Sequence, residues 1–235
     1  MRSLDLSRNA SLIEIICREN RLETLDVSKN TALTELSAAE NRLCVLDITK
    51  NTALTKLDVA GNKLSILNVS TNASLRELEC SENVLEALDI GQNTALTTLI
   101  CNDNVLQFLD LSQNTALTHL LCSQNQLMSL DISKNNVLRE LDCSENVLEA
   151  LDVSKNIALK GLYAKKNKLS ILNVGENINL TNLYCSDNQL STLEVVKNAA
   201  LLKLDCKSNQ LKKLNIKNGN NAELQSLNAR NNPDL

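Results

Sequence analysis

The chain has 235 residues and a formal net charge of −4, with 24 Lys and Arg residues against 28 Asp and Glu residues. This balance argues against a nucleic-acid partner, because phosphate binding draws on clustered Lys and Arg side chains. Apolar residues make up 43% of the sequence but aromatic residues only 1%, so the core must be aliphatic. No apolar run approaches the roughly 18 residues that a membrane-spanning helix needs.

The sequence repeats with a period of 21 residues from Leu4 onward. Residues 25–45 read LDVSKNTALTELSAAENRLCV, and residues 130–150 read LDISKNNVLRELDCSENVLEA. Leu returns at the same place in every unit, at positions 4, 25, 46, 67, 88, 109, 130, 151, 172, 193 and 214. A fixed period of this length is typical of a repeat solenoid.

Each unit reads as two similar half-coils that both end on Asn. Leu25 and Val27 alternate with polar residues, and so do Leu36 and Ala38 in the second half, which is the period of a half-buried strand. A helix would need about ten residues beyond the first strand and its turns, and 21 residues leave too few. The sequence therefore predicts a β-rich solenoid of stacked 21-residue coils, with two parallel β-sheets and little or no α-helix.

The inward positions predict the packing of this solenoid. In one unit these positions hold Leu25, Val27, Leu33, Leu36, Ala38 and Leu43. Stacked coils place like residues on like about 4.8 Å apart. At the turns, Asn30 and Asn41 can satisfy buried backbone groups, because an amide offers both donors and an acceptor. We expect two asparagine ladders along the stack.

These observations predict one solenoid domain over residues 1–235. The regular repeats span residues 4–213. The terminal repeat, residues 214–235, reads LNIKNGNNAELQSLNARNNPDL and carries two extra residues around Gly219, so we expect an aberrant last coil there.

The motif L-x-x-L-x-C-x-x-N-x-L-x-x-L-D-V-x-x-N-x-x resembles the 21-residue nested class of bacterial leucine-rich repeats, the IRREKO type. The match covers residues 4–213. The resemblance implies a bacterial protein, secreted or on the cell surface, of which this chain is a fragment without its signal peptide. It also implies a binding role, and it brings no catalytic residue because the motif contains only structural ones.

The cysteines divide into a buried column and one exposed thiol. Seven of the eight share a column with Ala38, Val59 and Ala164, which marks a position for small apolar side chains. The members of that column are Cys17, Cys80, Cys101, Cys122, Cys143, Cys185 and Cys206. Cys44 shares its column with charged and polar residues, so we expect it to be exposed and free. No C-x-x-C pair is present to supply local zinc ligands, and stacked parallel strands give a poor disulfide geometry.

The remaining candidates for chemistry also favour structural roles. A column of Asp residues, such as Asp26 in D-x-S-x-N, lacks the Gly and the distal Glu of a calcium loop and fits an Asx-type turn. His119 is the only histidine, and no Ser or exposed Cys lies at a corresponding position to form a triad. We therefore expect no catalytic residue, no metal and no cofactor, and the protein is not predicted to be an enzyme.

One outward column varies where the rest of the repeat is uniform. It lies between the motif Leu and the Cys position and reads Ile16, Ser37, Asp58, Glu79, Ile100, Leu121, Asp142, Tyr163, Tyr184, Asp205 and Asn228. Both tyrosines of the chain stand here on adjacent coils, and neighbouring outward apolar residues are typical of a contact surface. The predicted partner-binding residues are Ile100, His119, Leu121, Asp142, Tyr163, Lys166 and Tyr184.

The sequence favours a protein-recognition module that presents this surface to a protein ligand. A glycan-binding adhesin that uses the tyrosines as a stacking platform is an alternative, as is a structural spacer that stacks end to end or forms a homodimer. We expect no nucleic-acid partner and no membrane span. The resemblance implies an extracellular or cell-surface location.

Overall fold

The computed structural model describes residues 1–219 and 221–235, which form two compact units, residues 1–117 and residues 118–235. Each unit is a stack of coils built from three-residue strands. In the first unit the strands are β1 (Glu14–Ile16), β2 (Glu35–Ser37), β3 (Lys56–Asp58), β4 (Glu77–Glu79) and β5 (Thr98–Ile100). The second unit contains β6 (His119–Leu121), β7 (Glu140–Asp142), β8 (Gly161–Tyr163), β9 (Asn182–Tyr184), β10 (Thr192–Glu194), β11 (Lys203–Asp205), β12 (Lys213–Asn215), the 3-10 turn η1 (Asn221–Glu223) and β13 (Ser226–Asn228).

The strands of each unit pair in parallel and in register, so that each residue lies beside its counterpart 21 residues away. Leu36 of β2 pairs with Leu57 of β3, and Leu141 of β7 pairs with Leu162 of β8. The middle residue of each of these strands is buried, while its two neighbours face outward. The alternation of apolar and polar residues in the sequence therefore corresponds to the alternation of buried and outward-facing side chains in the sheet.

The predicted fold class, a β-rich solenoid of 21-residue coils with two parallel sheets and little or no α-helix, is confirmed. The inward positions Leu25, Val27, Leu33, Leu36 and Leu43 are all buried. The second sheet is much smaller than the first, because only β10 and β12 pair there. At the terminal repeat, β11 pairs with β13 across the two extra residues.

Asx turns limit the second sheet in most coils. In ten coils an Asp or Asn side chain accepts a hydrogen bond from the backbone N–H two residues later, as when Asp26 Oδ1 accepts from Ser28 at 2.9 Å. In one of the ten, at Asn215, the bond is 3.3 Å long and strand pairing persists beside it. Such local bonds compete with strand pairing. In β10 this position holds Glu194, whose longer side chain forms an ion pair with Lys213 at 2.8 Å. Parallel pairing extends beyond it, because the N–H of Val195 donates to the carbonyl of Asn215.

The two predicted asparagine ladders are present, and they bind the backbone differently. In the first ladder, Asn146 donates through Nδ2 to the carbonyls of Cys122, Cys143 and Ser144 at 3.0–3.2 Å. Its Oδ1 accepts from the N–H of Leu127 at 2.9 Å. One amide therefore satisfies backbone groups of its own coil and of the preceding coil.

The second ladder uses only its amide hydrogens. Asn156 donates to the carbonyls of Ile132 and Asn135 at 3.0 and 2.9 Å. Its buried Oδ1 has no hydrogen-bond partner. The two carbonyl acceptors fix the orientation of the amide, because a flipped side chain would place an oxygen against them.

A left-handed residue comes immediately before the first ladder in every coil. Ten of these residues are not glycine, and their φ angles lie between 51° and 56°. The eleventh is Gly61, with φ of 63°. For an L-residue this conformation costs about 1–2 kcal/mol. The asparagine that follows bonds to the carbonyls two and three residues before it, as Asn41 does with Ala39 and Ala38, and these bonds hold the turn in place.

The cysteine column is buried, as predicted, and none of the eight cysteines, all within the described residues, forms a disulfide. Burial raises the pKa of the Cys101 thiol to about 12 and that of Cys206 to about 11. Burial also raises the pKa of Cys17, Cys80, Cys143 and Cys185. Cys44 is the exposed member of the set.

The ladder contacts predict a ranking of three alanine substitutions within the second unit. Asn146→Ala should lower the free energy of unfolding by about 3 kcal/mol, because it removes partners from four buried backbone groups. Asn156→Ala removes two such contacts and should cost about 2 kcal/mol. The control Asn136→Ala changes an exposed residue and should stay within about 0.5 kcal/mol. Urea unfolding of the three variants measures the order, and a loss at Asn156 equal to that at Asn146 would contradict it.

We expect one cysteine thiol to react quickly with a thiol reagent and the other seven to react slowly. In the native protein a thiol reagent such as Ellman's reagent should label Cys44 quickly, because this thiol is exposed. The buried thiols should react only as the coils open, since reaction requires an accessible thiolate. Stopped-flow absorbance counts the fast phase, with Cys44→Ser as the control that removes it. Several thiols reacting at the rate of Cys44 would contradict the burial of the column.

Candidate functional site

In the first unit the varied outward column carries two carboxylates on adjacent coils, Asp58 and Glu79. Asp58 accepts a hydrogen bond from the hydroxyl of Ser37 at 2.9 Å and lies 3.7 Å from the Arg18 guanidinium. Lys56 pairs with Glu77 at 3.1 Å. A cavity of about 190 Å³ lies on this face, lined by Glu14, Ile15, Ile16, Arg18, Glu35, Leu36, Ser37, Lys56 and Asp58. The two cations of this lining, Arg18 and Lys56, are each paired with a carboxylate of the chain.

Glu79 of the same column forms no ion pair among the described residues. Its Oε1 accepts from the N–H of Ser81 at 3.1 Å. Partial burial raises the pKa of Glu79, and the neighbouring carboxylates of Asp58 and Glu82 raise it further. The sheet therefore holds this carboxylate in a setting that disfavours its charge.

In the second unit the same column carries a pair of stacked tyrosines. The ring centroids of Tyr163 on β8 and Tyr184 on β9 are 5.2 Å apart, and the ring planes differ by 12°. Both side chains are half-buried. The register of the strands places Asp142 beside Tyr163 and Asp205 beside Tyr184. The column thus reads acidic, aromatic, aromatic, acidic over four successive coils.

Gly161 makes room for the ring of Tyr163. A Cβ atom at Gly161 would lie 3.0 Å from Cε2 of Tyr163 and 3.4 Å from Oε1 of Glu140. A side chain here would therefore displace either the ring or the carboxylate. Burial raises the pKa of the Tyr163 phenol, with smaller contributions from the charges of Glu140 and Asp142. Both carboxylates thus act electrostatically on Tyr163.

Beyond the tyrosines, the charged groups of this face are paired selectively. Lys166 and Lys165 both contact Glu145, at 3.1 and 3.7 Å. Glu140 and Asp142 lie on the outward side of β7, and in the part of the chain that the structure describes neither has an ion pair. The only hydrogen bond that Asp142 accepts there comes from the N–H of Ser144 at 2.9 Å.

The structure brings together six of the seven predicted site residues. His119, Leu121, Asp142, Tyr163 and Tyr184 lie on the outward side of β6 to β9, and Lys166 lies in the turn after β8 with φ of 52°. All but Lys166 are half-buried. His119 Nδ1 lies 2.9 Å from the hydroxyl oxygen of Thr118. Ile100 belongs to β5 of the first unit, where it is half-buried beside Glu79.

Sequence reasoning missed Glu140, Gly161 and Asn182, which lie beside the tyrosines on the same face. Glu140 and Asn182 pair in register with Gly161 on either side. A signal for them was present, because Gly161 is the one glycine in a column that otherwise carries side chains. Only the position of the Tyr163 ring shows why a glycine is suited to that place.

A second set of outward apolar residues was also missed, on the side of the coils away from the first sheet. Val45, Ile66 and Phe108 in the first unit are 74%, 76% and 64% exposed. Cys44, Val45 and Ile66 line part of a cavity of about 350 Å³. Val45, Ile66 and Phe108 each stand immediately before the repeated Leu of their coil, at Leu46, Leu67 and Leu109.

The charge of the chain is divided unevenly. The first unit has 10 Lys and Arg residues against 16 Asp and Glu residues, and the second has 14 against 12. The net charge is therefore −6 in the first unit and +2 in the second.

Among the described residues, no group of three or more His, Cys, Asp or Glu side chains has an arrangement that could hold a metal ion. No helix in the described ranges is long and apolar enough to cross a membrane.

The fold is similar to several solved bacterial structures. The functional domain of InlJ from Listeria monocytogenes, described as including a cysteine ladder, shares 32% sequence identity with a TM-score of 0.78, over 96% of this chain and 60% of that one. A leucine-rich-repeat protein of Leptospira interrogans shares 24% identity with a TM-score of 0.88, over 95% of this chain and 62% of that one. YopM, a leucine-rich effector protein of Yersinia pestis, shares 21% identity with a TM-score of 0.72, over 88% of this chain and 63% of that one.

These similarities support the leucine-rich-repeat assignment and the bacterial resemblance. The chain spans about three fifths of the length of each of these three proteins. No protein-family model matches the chain, and no curated protein matches it in sequence.

The setting of Glu79 predicts a pH-dependent stabilisation by Glu79→Gln. Because the folded-state pKa of Glu79 is raised, its ionisation opposes folding at pH values above that pKa, and stability is regained as the pH falls towards the unfolded value. Glu79→Gln should therefore raise the Tm at pH 7, and the gain should disappear at about pH 4. Thermal unfolding at both pH values measures the effect.

Glu77→Gln is the matched control, because it removes an exposed carboxylate that is paired with Lys56. This control should not raise the Tm at pH 7. A Glu79→Gln variant with an unchanged or lower Tm at that pH would show that the ionised Glu79 carboxylate does not destabilise the folded state.

Proposed function

We propose that this chain, whose fold resembles that of bacterial leucine-rich-repeat proteins, is a protein-recognition module that binds a partner around Tyr163 and Tyr184. We call this surface the tyrosine face and define it as His119, Leu121, Glu140, Asp142, Tyr163, Lys166 and Tyr184, all in the second unit. Ile100 is proposed as a separate contact of the first unit. The proposal is for binding and not for catalysis.

The stacked tyrosine pair is the observation that carries this proposal. Three aromatic residues occur in 235, and two of them stack on the outward side of neighbouring strands. Tyrosine is enriched at the centres of protein interfaces, where it supplies contact area with little loss of side-chain freedom. The stack also holds both rings in place before a partner arrives, which lowers the ordering cost of binding.

The surroundings of the pair resemble the rim of a protein interface. Carboxylates and lysines of both signs surround the rings, with Glu140, Asp142 and Glu145 on one side and Lys165 and Lys166 close by. A polar rim around an aromatic centre is the usual anatomy of such an interface. A phosphate-backbone partner is disfavoured, because both lysines are already engaged by Glu145.

A protein ligand fits the ring geometry better than a glycan. Sugars stack on open ring faces, whereas Tyr163 and Tyr184 each cover one face of the other. The remaining ring faces lie beside Asp142 and Asp205, whose carboxylates favour a cationic side chain of a protein over a neutral sugar ring. Glycan binding and self-association of the solenoid are outcomes of the test below.

We also propose an extracellular or cell-surface location, as the bacterial leucine-rich-repeat resemblance implies. The burial of seven of the eight thiols is compatible with an oxidising environment, because a buried thiol of raised pKa reacts slowly.

The test compares binding by the intact protein and by a variant with Tyr163→Ala and Tyr184→Ala. Both proteins are applied to an array of purified extracellular protein domains and to a glycan array. Binding to a protein ligand should fall about 30-fold or more in the variant, since truncated aromatic anchors commonly cost about 2 kcal/mol or more. Because the rings are half-buried, the free energy of unfolding should fall by only about 1 kcal/mol.

The control variant carries Asp131→Asn and Asp152→Asn on the turn side of the same unit. Asn keeps the Oδ1 acceptor that each Asx turn uses, so this variant should bind and unfold like the intact protein. Binding lost in the control but kept in the tyrosine variant would place the contact surface on the other side of the coils. Binding confined to the glycan array would replace the proposal with an adhesin, and concentration-dependent mass in sedimentation without any array binding would favour a self-stacking spacer.

A further inference from the structure

We propose that the partner of the tyrosine face is a protein that presents an arginine to Glu140 and Asp142, with the arginine side chain packed between Leu121 and Tyr163. This inference rests on the proposed function and specifies the chemistry of the ligand. It requires that the carboxylates of β7 are available, that apolar surface flanks them, and that the chain does not neutralise them itself.

The carboxylates of β7 are available on one face of the strand. Glu140 and Asp142 are two residues apart, about 6.6 Å along the strand, and both point outward. Asp142 uses one oxygen to accept the N–H of Ser144, which holds its carboxylate in a fixed orientation. Because a guanidinium carries five N–H donors, two carboxylates at this spacing can both accept hydrogen bonds from the same arginine side chain.

Apolar surface flanks Asp142 on both sides. The register places Leu121 of β6 next to Asp142, and Tyr163 of β8 on its other side. Both flanking side chains are half-buried and outward. An arginine has an apolar stem and a planar cationic head, and its guanidinium stacks on aromatic rings. The sequence of surfaces along the stack, apolar, acidic and then aromatic, is complementary to that side chain.

The chain does not itself supply the cation. Several other outward carboxylates have cationic partners within the chain, as Asp58 has Arg18, Glu77 has Lys56, and Glu145 has Lys165 and Lys166. Within the described residues Glu140 and Asp142 form no such pair, and the in-register neighbours of Glu140 are His119 and Gly161. An unpaired acidic pair beside an aromatic ring therefore favours a cation from outside the chain.

Tyrosine fluorescence gives a direct readout of this surface. Tyr163 and Tyr184 are the only tyrosines of the chain, which has no tryptophan. A ligand that contacts their rings will change an emission that arises from these two residues alone. The probe is a capped pentapeptide with one central arginine between two leucines, compared with the same peptide carrying citrulline, a neutral analogue, or lysine.

The arginine peptide should change the tyrosine emission saturably and bind about tenfold more tightly than the citrulline peptide, a difference of about 1.4 kcal/mol. The lysine peptide should be intermediate, because lysine lacks the planar fork. In a variant with Glu140→Gln and Asp142→Asn, the arginine peptide should bind only as well as the citrulline peptide. The matched control, Glu149→Gln with Asp152→Asn, removes the same charge from exposed positions on the other side of the same region and should keep the preference.

Equal binding of the arginine and citrulline peptides would overturn the inference, and so would a preference that survives Glu140→Gln with Asp142→Asn. Absence of a saturable response to the arginine peptide up to about 10 mM would overturn it as well. The proposed function is tested separately with the array ligand. If binding of that ligand is lost with the tyrosines but unaffected by the β7 substitutions, the protein-recognition role stands and the arginine inference fails.

Discussion

The structure depends on the satisfaction of backbone groups at the turns. A 21-residue coil has little room for regular secondary structure, and each strand of the first sheet is only three residues long. Most of the backbone therefore lacks the repeated pairing of a long strand or helix, and buried unpaired groups would be costly. Asn146 and its counterparts solve this in each coil, because one buried amide bonds to three carbonyls and one N–H.

The same requirement leaves the outward side of the strands free to vary. Leucines and small residues fill the interior of each coil and contact the identical positions of the adjacent coils, as expected for a one-dimensional repeat protein. The outward residues contribute little to that interior, so Asp58, Leu121 and Tyr163 can occupy equivalent places without disturbing it. Binding chemistry is therefore separated from folding in this chain, and the tyrosine face can be altered at small cost to stability.

Much of the fold followed from the sequence, because it rests on short-range patterns. The period of 21 gave the register, the alternation around Leu36 and Leu141 gave the first sheet, and the shared column with Ala38 gave the buried cysteines. The short second sheet was harder to foresee, because an Asx turn at Asp26 and a strand at Glu194 have nearly the same local sequence. The candidate site was predicted as a column of residues. The stacking of Tyr163, the role of Gly161 and the unpaired state of Glu140 depend on contacts between coils, which a single repeat does not encode.

The left-handed residue before each asparagine of the first ladder has a consequence for how such a chain can evolve. Glu, Asp, Gln, Lys, Ser and Asn all occur there with nearly the same φ. The backbone penalty is similar for Glu, Gln, Lys and Ser whatever their charge, and it is smaller for Asp and Asn. Exchanging Glu82, which forms no ion pair among the described residues, for a lysine such as Lys166 is then close to neutral for the backbone, yet it reverses the charge at the border of the sheet. The turn thus acts as a stability-neutral position at which successive coils can acquire opposite charges, and the electrostatic pattern of the surface can diverge faster than the scaffold that carries it.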